Sequence, residues 1–225
     1  MTSTLALFDL DGTLSSGHIW EGFLKYYLMH KKKRAWILAF WATHLALWLL
    51  SKCKLVSKEK TRAKWMEDLS DIFKGASREE VLDVLQWVGD NYLFNSLRSD
   101  VVEILKQHKQ NRHTVVIVSA TYSELLRIVG QRFGVYDVIG TELEEVDGKY
   151  TGKAVKPLCF AENKAKLLKE FINRNGLEID LSSSFAYADS IFDASLLALV
   201  GHPVATYPDK GLRQLAERNG WQILP

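Results

Sequence analysis

The spacing of apolar positions divides this 225-residue chain into two parts. Residues 5–8 form an unbroken apolar run, which is typical of a strand covered on both faces of a parallel sheet. From residue 19 to about residue 94, apolar side chains recur every three or four positions, and Ser77 followed by Glu80 matches a capping box at a helix start. This period predicts four helices, at residues 18–30, 33–51, 57–74 and 78–94. One strand followed by a helical block is therefore expected.

From residue 114 onward, short β-branched runs alternate with helical periods. The runs predict strands at residues 114–119, 138–139, 185–187 and 204–206, and a hairpin around residues 146–150. The periods between them predict helices at residues 122–133, 161–174, 191–199 and 209–219. Alternating strands and helices build parallel sheets. We therefore predict an α/β fold: a Rossmann-like parallel sheet core (residues 1–14 and 96–225) with an inserted all-helical cap domain (residues 15–95).

The composition, the cysteines and the N-terminus indicate in which compartment to expect the protein. Hydrophobic residues make up 47% of the chain and charged residues 25%, which is ordinary for a soluble globular protein. Cys53 and Cys159 have the spacing of neither a disulfide framework nor a metal knuckle. The N-terminus has no basic region ahead of an apolar stretch, so it does not match a signal peptide. We therefore expect a cytoplasmic protein.

The net charge of +2 conceals a strongly basic segment. Residues 25–64 contain eleven Lys or Arg and one acid, Glu59, so this segment carries +10 and the rest of the chain −8. Such a segment is either a solvated helical face or a contact for an anionic partner, such as a membrane surface or a phosphorylated substrate. Nucleic acid is not expected as a partner, because no stacking-aromatic motif of a known nucleic-acid-binding fold accompanies the charges.

Residues 35–50 hold no Lys, Arg, Asp or Glu and are flanked by basic residues. A helix of this length extends about 24 Å, which is shorter than the ~30 Å hydrocarbon core of a bilayer. A single crossing would also place Asp9 and the later motifs on opposite sides of the membrane. Three interpretations stay open: a helix buried in the cap, a contact between two copies of the chain, and an interfacial helix that makes peripheral membrane contact through residues 31–54.

Two acids follow the first predicted strand, in the order Phe8-Asp9-Leu10-Asp11-Gly12-Thr13-Leu14. Alternation along an extended chain points Asp9 and Asp11 to the same side, at the sheet edge where open α/β folds bind ligands. Two close carboxylates repel each other unless a cation lies between them or one carries a proton. A hard divalent cation such as Mg²⁺ suits these oxygen ligands. The alternative is a plain Asp-Gly turn.

Three later features fit this opening motif. Ser119 and Ala120 end a predicted strand before a helix, so a hydroxyl and helix-start amides could hold a phosphate. Lys164 lies near the start of another predicted helix, and Asp189 follows a strand four residues before Asp193. Each feature alone has an ordinary explanation, namely a helix cap, a surface lysine or an acid that complements a helix dipole.

Together these residues resemble the motifs of the haloacid-dehalogenase-like phosphatases. Residues 9–13 match the first motif, Ser119 the second, Lys164 the third and residues 189–193 the fourth, in the family's order. The resemblance covers residues 4–14 and about 97–225. A helical block between the first and second motifs is similar to that of subfamily I B, whose members resemble phosphoserine phosphatase.

The resemblance implies a role for each matched residue. Asp9 would be the nucleophile that forms an aspartyl-phosphate, and Asp11 the acid and base that moves the proton. The implied phosphate-binding residues are Ser119, Ala120 and Lys164. Magnesium would be bound by Asp9, Asp11 (through its backbone carbonyl) and Asp189. Supporting residues are Gly12, Thr13 and Asp193.

We therefore expect a magnesium-dependent phosphoric monoester hydrolase whose substrate is a small phosphorylated metabolite or a lipid phosphate. The apolar, basic cap is similar to the branch that contains bacterial phosphatidylglycerophosphate phosphatases. Phosphoserine phosphatases carry a glutamate where this chain has His18, which counts against phosphoserine unless Glu21 takes that role. Two further functions stay open: a phosphotransferase or mutase that uses the same aspartyl-phosphate, and a non-catalytic module that keeps the fold.

Overall fold

The computed structural model describes residues 2–225, and within that range eight strands occur. In chain order they are β1 (Leu5–Phe8), β2 (Thr114–Tyr122), β3 (Asp137–Thr141), β4 (Leu143–Val146), β5 (Lys149–Ala154), β6 (Phe185–Ala188), β7 (His202–Thr206) and β8 (Gln222–Leu224). Six of them form one sheet in the order β3-β2-β1-β6-β7-β8, and every neighbouring pair in it is parallel. Strands β4 and β5 form a separate antiparallel hairpin. The predicted parallel α/β sheet is confirmed.

Helices fill the connections between these strands. The α-helices are α1 (Ile19–Met29), α2 (Arg34–Lys52), α3 (Lys58–Leu69), α4 (Arg78–Val88), α5 (Ser99–Gln110), α6 (Ser123–Phe133), α7 (Glu162–Arg174), α8 (Ala194–Leu197) and α9 (Lys210–Asn219). Helices α1 to α4 all lie between β1 and β2 in the chain. The capping box predicted at the start of α4 is confirmed, because Ser77 and Glu80 each accept a hydrogen bond from the other's backbone amide.

Strand β1 lies at the centre of the sheet, paired with β2 on one side and β6 on the other. All four of its residues are fully buried, which explains the unbroken apolar run. Their side chains alternate between the two faces: Ala6 and Phe8 join the apolar cluster that includes the helices after β1, while Leu5 and Leu7 join the cluster beneath α7 to α9. The chain after Phe8 therefore emerges at the middle of the sheet's carboxyl edge, between two other strand ends.

The helical block packs onto this edge through Tyr122, the last residue of β2. Its ring contacts Phe23 of α1 at 6.0 Å between centroids and Phe73, after α3, at 5.6 Å. The Tyr122 hydroxyl also forms a 3.3 Å hydrogen bond with the Ser70 hydroxyl. Apolar residues of the helices and of the sheet therefore form one continuous core, which holds the helical block above the strand ends.

Most predicted helices and strands are present with ends shifted by a few residues, and three differences stand out. Strand β2 continues to Tyr122 rather than ending at residue 119, with a shift of register against β3 after Val118. Helix α5 and strand β8 were not predicted. In α5, the buried positions Val101, Leu105 and His108 stand among many polar residues, so the apolar period is weak.

Candidate active site

A cavity lies between the carboxyl edge of the sheet and helices α1 and α3. Seven of the nine residues predicted from the motifs line it: Asp9, Asp11, Ser119, Ala120, Lys164, Asp189 and Asp193. They come from the ends of β1, β2 and β6 and from the first turn of α7. The other two, Gly12 and Thr13, lie in the loop directly after β1. Residues as far apart in sequence as 9 and 193 thus meet in one place, as parallel strand ends should.

Lys164 is the central cation of this cavity. Its ammonium lies 2.7 Å from Asp9 Oδ1 and 2.5 Å from Asp193 Oδ1, and all three side chains are almost completely buried. Burial lowers the pKa of Lys164, but the charges of Asp193 and Asp9 outweigh it and raise that pKa above its ordinary value. Lys164 is therefore a permanent positive charge, held against the predicted nucleophile by a second carboxylate.

Three carboxylates crowd together beside this cation. One oxygen from each of Asp9, Asp189 and Asp193 lies within 4.8 Å of the other two. Burial, together with the charges of Asp9 and Asp193, raises the pKa of Asp189 to about 8, and burial raises the pKa of Asp193 to about 6. Burial also raises the pKa of Asp9, in spite of its contact with Lys164. The carboxylates therefore repel one another in the absence of a further positive charge.

The charges that line the cavity fit a divalent cation. Four acids face it, and the cations among the lining residues are Lys164 and Arg62, so the ionised cavity carries a net charge of −2. Magnesium takes oxygen ligands and is usually held in proteins by one or two carboxylates. The carboxylates of Asp9, Asp189 and Asp193, close together and short of positive charge, are a donor set of this kind.

Asp11 is set apart from that cluster. Its Oδ1 accepts a 2.9 Å hydrogen bond from the backbone N–H of Ile19, the first residue of α1. Burial raises the pKa of Asp11 to about 6, so this carboxyl exchanges a proton close to neutral pH. The start of the helical block thus positions one acid of the opening motif, while Lys164 positions the other.

Gly12 and Thr13 lie against the Asp189 carboxylate of this cluster. Gly12 has a φ of +86°, and a Cβ at this position would lie 2.2 Å from Asp189 Oδ2. Only glycine fits here, because any side chain would be strained and would displace the Asp189 carboxylate. Thr13 is fully buried, and its hydroxyl donates a 3.5 Å hydrogen bond to Asp189 Oδ1.

Ser119 and Ala120 form part of the irregular end of β2. The Ser119 hydroxyl is buried and accepts a 3.4 Å hydrogen bond from the Thr121 N–H. The Ala120 carbonyl accepts a 2.8 Å bond from the Thr141 hydroxyl. Helix α6 starts only at Ser123, so an extended segment separates Ser119 from the helix-start amides that the sequence placed directly after it.

The wall opposite the sheet was not predicted residue by residue. Helix α3 contributes Arg62, Trp65, Met66 and Leu69, and the start of α1 contributes His18, Ile19 and Trp20. The spacing 62, 65, 66 and 69 marks one helical face. That signal was present in the sequence, but it gives no indication that this face meets the motifs.

His18 and Glu21, the two residues considered for substrate recognition, differ in their surroundings. His18 precedes α1 and lines the cavity, and its Nδ1 is buried without a hydrogen-bond partner among residues 2–225. Burial and the charge of Arg62 lower the pKa of His18, so the ring is neutral near pH 7. The Glu21 carboxylate instead accepts a hydrogen bond from the Tyr92 hydroxyl.

Comparison with known proteins gives relatives across nearly the whole chain. The phosphoserine phosphatase SerB1 of Mycobacterium tuberculosis is 29% identical over 97% of this chain and 69% of its own length. A histidinol-phosphatase of Neisseria meningitidis is 26% identical over 98% of this chain and 97% of its own length. This chain is therefore similar to enzymes with different named substrates.

Solved structures share the fold. The crystal structure of a protein of unknown function from Bordetella pertussis has a TM-score of 0.84 at 26% identity, with 100% of this chain and 99% of that chain covered. A phosphoserine phosphatase with a phospho-aspartyl intermediate analogue has a TM-score of 0.66 at 17% identity, with 100% and 93% covered. These likenesses confirm the predicted Rossmann-like α/β fold.

The family itself is shown by a match to most of the chain. The family model described as "haloacid dehalogenase-like hydrolase" matches residues 6–198, a range that contains every predicted site residue. The resemblance found in the motifs is thereby confirmed, as is the prediction of a hydrolase. The chain belongs to the haloacid dehalogenase-like hydrolase family.

Proposed function

We propose that this enzyme is a magnesium-dependent phosphatase that hydrolyses a small phosphomonoester through an aspartyl-phosphate on Asp9. The observation that carries the proposal is the single cavity in which Asp9, Asp11, Lys164 and the pair Asp189 and Asp193 meet. Phosphoryl transfer requires chiefly positioning and neutralisation of spread charge, and this cavity offers both. The relatives named phosphatases support the prediction of a phosphoric monoester hydrolase.

In the first half-reaction, Asp9 attacks the phosphorus. Its Oδ1 accepts a hydrogen bond from Lys164, and the second carboxylate oxygen forms the new P–O bond as the bond to the leaving oxygen breaks. Lys164 and the Ser119 hydroxyl stabilise the phosphoryl oxygens. Asp11 gives its proton to the leaving oxygen, a role that suits a carboxyl with a pKa of about 6.

In the second half-reaction, water replaces the alcohol. Asp11, now ionised, removes a proton from the water as its oxygen attacks the phosphorus, and the bond between phosphorus and Asp9 breaks. Inorganic phosphate leaves and both aspartates return to their starting states. The Ile19 N–H, which donates to Asp11 Oδ1, holds the carboxyl in place for both proton transfers.

Asp9, Asp189 and the backbone carbonyl of Asp11 would hold the magnesium ion, with Asp193 beside them. When bound, the ion would offset the charge of the phosphoryl oxygens and of the crowded carboxylates. The net charge of −2 and the converging carboxylate oxygens of Asp9 and Asp189 support this assignment.

The size and lining of the cavity favour a small substrate. Its volume is about 130 Å³, which equals the space of about four waters at the ~30 Å³ that each takes up in the liquid. Trp20, Trp65 and Phe160 make the wall apolar, while Arg62 adds one cation and His18 no charge. We infer a phosphorylated metabolite with a flat or apolar leaving group. A lipid phosphate, of which only the headgroup would enter, is the alternative.

We further propose that residues 15–95 act as a cap over a core of residues 1–14 and 96–225, and that the enzyme works in the cytoplasm. Side chains from both parts line the cavity, which supports the division. Both cysteines of the chain, Cys53 and Cys159, are free thiols, which suits a reducing compartment.

The variant Asp9→Asn tests the proposal, with Asp83→Asn on the exposed face of α4 as the matched control. With magnesium and an aryl phosphate, we expect the release of inorganic phosphate to fall at least about a thousandfold in the first variant, because an amide is a poor nucleophile. The control should match the wild type. Measuring inorganic phosphate, rather than the alcohol alone, separates hydrolysis from transfer to another acceptor. Substantial phosphate release by Asp9→Asn would refute the nucleophile assignment.

A further inference from the structure

Helix α2 has an apolar face that the described residues leave largely exposed. Among residues 2–225 it is the helix that is long and apolar enough to cross a membrane, yet only 17% of its apolar stretch is buried. Ile37, Phe40 and His44 are the buried residues of the helix and pack toward the rest of the protein. The opposite side is exposed, which is costly for so many large apolar groups in water.

Five of the six exposed large apolar residues of α2 form one stripe, which we call the α2 stripe. It consists of Leu38, Trp41, Leu45, Trp48 and Leu49, whose side chains are between 39% and 72% exposed. Their spacing of three, four, three and one places them on one side of the helix. A soluble monomer rarely exposes a contiguous apolar surface of this kind unless the surface has a partner.

Positive charge brackets the α2 stripe at both ends. Arg34 lies one turn before Leu38, and Lys52 lies one turn after Trp48, with its ammonium 5.2 Å from the Trp48 ring centroid. Residues 31–54 contain six Lys or Arg and no Asp or Glu. An apolar stripe with lysines and arginines at its ends and tryptophans near its edge is the composition of a helix that lies in a bilayer interface.

A helix that crosses the bilayer does not fit the fold. Strands β1 and β2 flank the helical block in sequence and pair with each other in one sheet, so a single crossing within that block would separate hydrogen-bonded neighbours. A second copy of the chain is also a poor partner. An isologous contact through the α2 stripe would bring together two segments that each carry six positive charges and no negative ones.

We propose that α2 docks this enzyme on an anionic lipid bilayer, with the α2 stripe among the upper acyl chains and the flanking basic residues at the headgroup phosphates. Lys and Arg can extend their charged ends to that level while their stems lie along apolar surface. Both attractions act on the same helix, and each basic residue near an anionic surface strengthens binding by about fivefold.

Vesicle sedimentation tests this docking directly. We expect the wild type to bind vesicles of equal parts phosphatidylcholine and phosphatidylglycerol, to bind phosphatidylcholine alone far more weakly, and to dissociate as salt is added. Leu45→Glu should weaken binding at least about tenfold, since it places a charge in the α2 stripe. The control Leu82→Glu introduces the same change on α4, where Leu82 is 38% exposed, and should bind like the wild type.

A second variant removes positive charge before α2 and leaves the α2 stripe intact. Replacing Lys31, Lys32 and Lys33 by serine should reduce affinity for the anionic vesicles by about a hundredfold. Hydrolysis of an aryl phosphate reports that each variant is folded. Asp9→Asn should bind vesicles like the wild type, so failure of the docking is distinguishable from failure of the proposed reaction.

Three outcomes would overturn the proposal. The first is the absence of sedimentation with anionic vesicles, and the second is equal binding to neutral and anionic ones. The third is a dimer of the wild type, seen by analytical ultracentrifugation, that Leu45→Glu converts to monomer, since the α2 stripe would then be an interface between copies.

Discussion

The two walls of the cavity are built on different principles. The sheet wall consists of buried charges, each fixed by a specific neighbour: Lys164 between Asp9 and Asp193, and Asp11 on a backbone amide. The helical wall consists of aromatic side chains that pack against the core, Trp20 and Trp65, and of one exposed cation, Arg62. The sheet wall therefore tolerates almost no change in geometry, and the helical wall can vary without loss of the reaction. We infer that chemistry lies in the first wall and substrate choice in the second.

The largest effect should come from the central cation. Lys164→Met leaves two carboxylates buried without their partner, and we expect kcat/KM to fall by about a thousandfold or more, equivalent to about 4 kcal/mol. Lys166→Met, on the exposed side of the same helix, is the matched control. Steady-state kinetics with an aryl phosphate measure both. A Lys164→Met enzyme within tenfold of the wild type would show that the sheet wall is less strict than we claim.

Magnesium should stabilise the sheet wall measurably. At about one hundred times its Kd the ion adds about 2.7 kcal/mol to the free energy of unfolding, which raises Tm by several degrees. Because the pKa of Asp189 is raised to about 8, protons compete with the ion below that pH, so the gain should grow as pH rises toward 8.

Thermal unfolding with chelator or with magnesium, over a series of pH values, measures this gain. In Asp189→Asn, magnesium should raise Tm by less than it does in the wild type. A shift in Tm that is the same at every pH would contradict the coupling between proton and metal.

A smaller effect, on stability, is expected when a side chain added at residue 12 crowds the Asp189 carboxylate. Gly12→Ala and Gly75→Ala both place a side chain at positive φ, at +86° and +78°, but only the Gly12 substitution meets Asp189, since nothing lies within 4 Å of Gly75. Backbone strain should lower the free energy of unfolding of each variant by about 1 kcal/mol, and the clash with Asp189 should lower that of Gly12→Ala by about 2 kcal/mol more. Chemical denaturation gives the two values. Equal losses would mean that the loop yields to the added methyl group.

The smallest effect is expected from a substitution in the helical wall. Arg62→Gln should raise KM about tenfold, or about 1.4 kcal/mol, and leave kcat nearly unchanged, because Arg62 contributes to binding rather than to bond breaking. Lys64→Gln, exposed on the same helix, should change neither constant. If kcat falls with Arg62→Gln while KM stays constant, the division of labour between the walls is wrong.

The sheet wall and the helical wall also differ in how well they could be predicted from the sequence. Asp9, Ser119 and Asp189 could be predicted to meet because parallel strands bring their carboxyl ends to one edge, whatever the helices do. Lys164 lies in the first turn of α7, and its place beside them was implied by the match to the family's motifs. No comparable rule says which face of α3 closes the cavity. That depends on how Tyr122 and Phe73 seat the helical block, which is a matter of tertiary packing.

Helix α2 shows another limit. Its apolar sequence is equally compatible with burial, with a dimer contact and with a lipid interface, and only the fold reveals that the α2 stripe points outward. Strand β2 illustrates the same limit locally: the run of β-branched residues ends near Val118, but pairing with β3 resumes at Tyr122 after a shift of register. Local periodicity indicates which residues prefer to be buried. Which partner buries them depends on tertiary packing.

The tryptophans of the helical block have one further consequence. Trp41, in the α2 stripe, contacts Trp20 and Trp65 at 5.5 Å between ring centroids, and those two indoles line the cavity. Indole emission responds to the polarity around the ring. The protein therefore carries an unlabelled optical reporter with one end at the catalytic cavity and the other at the outer surface. A change in this emission would therefore report either occupancy of the cavity or contact of α2 with lipid, without any added label.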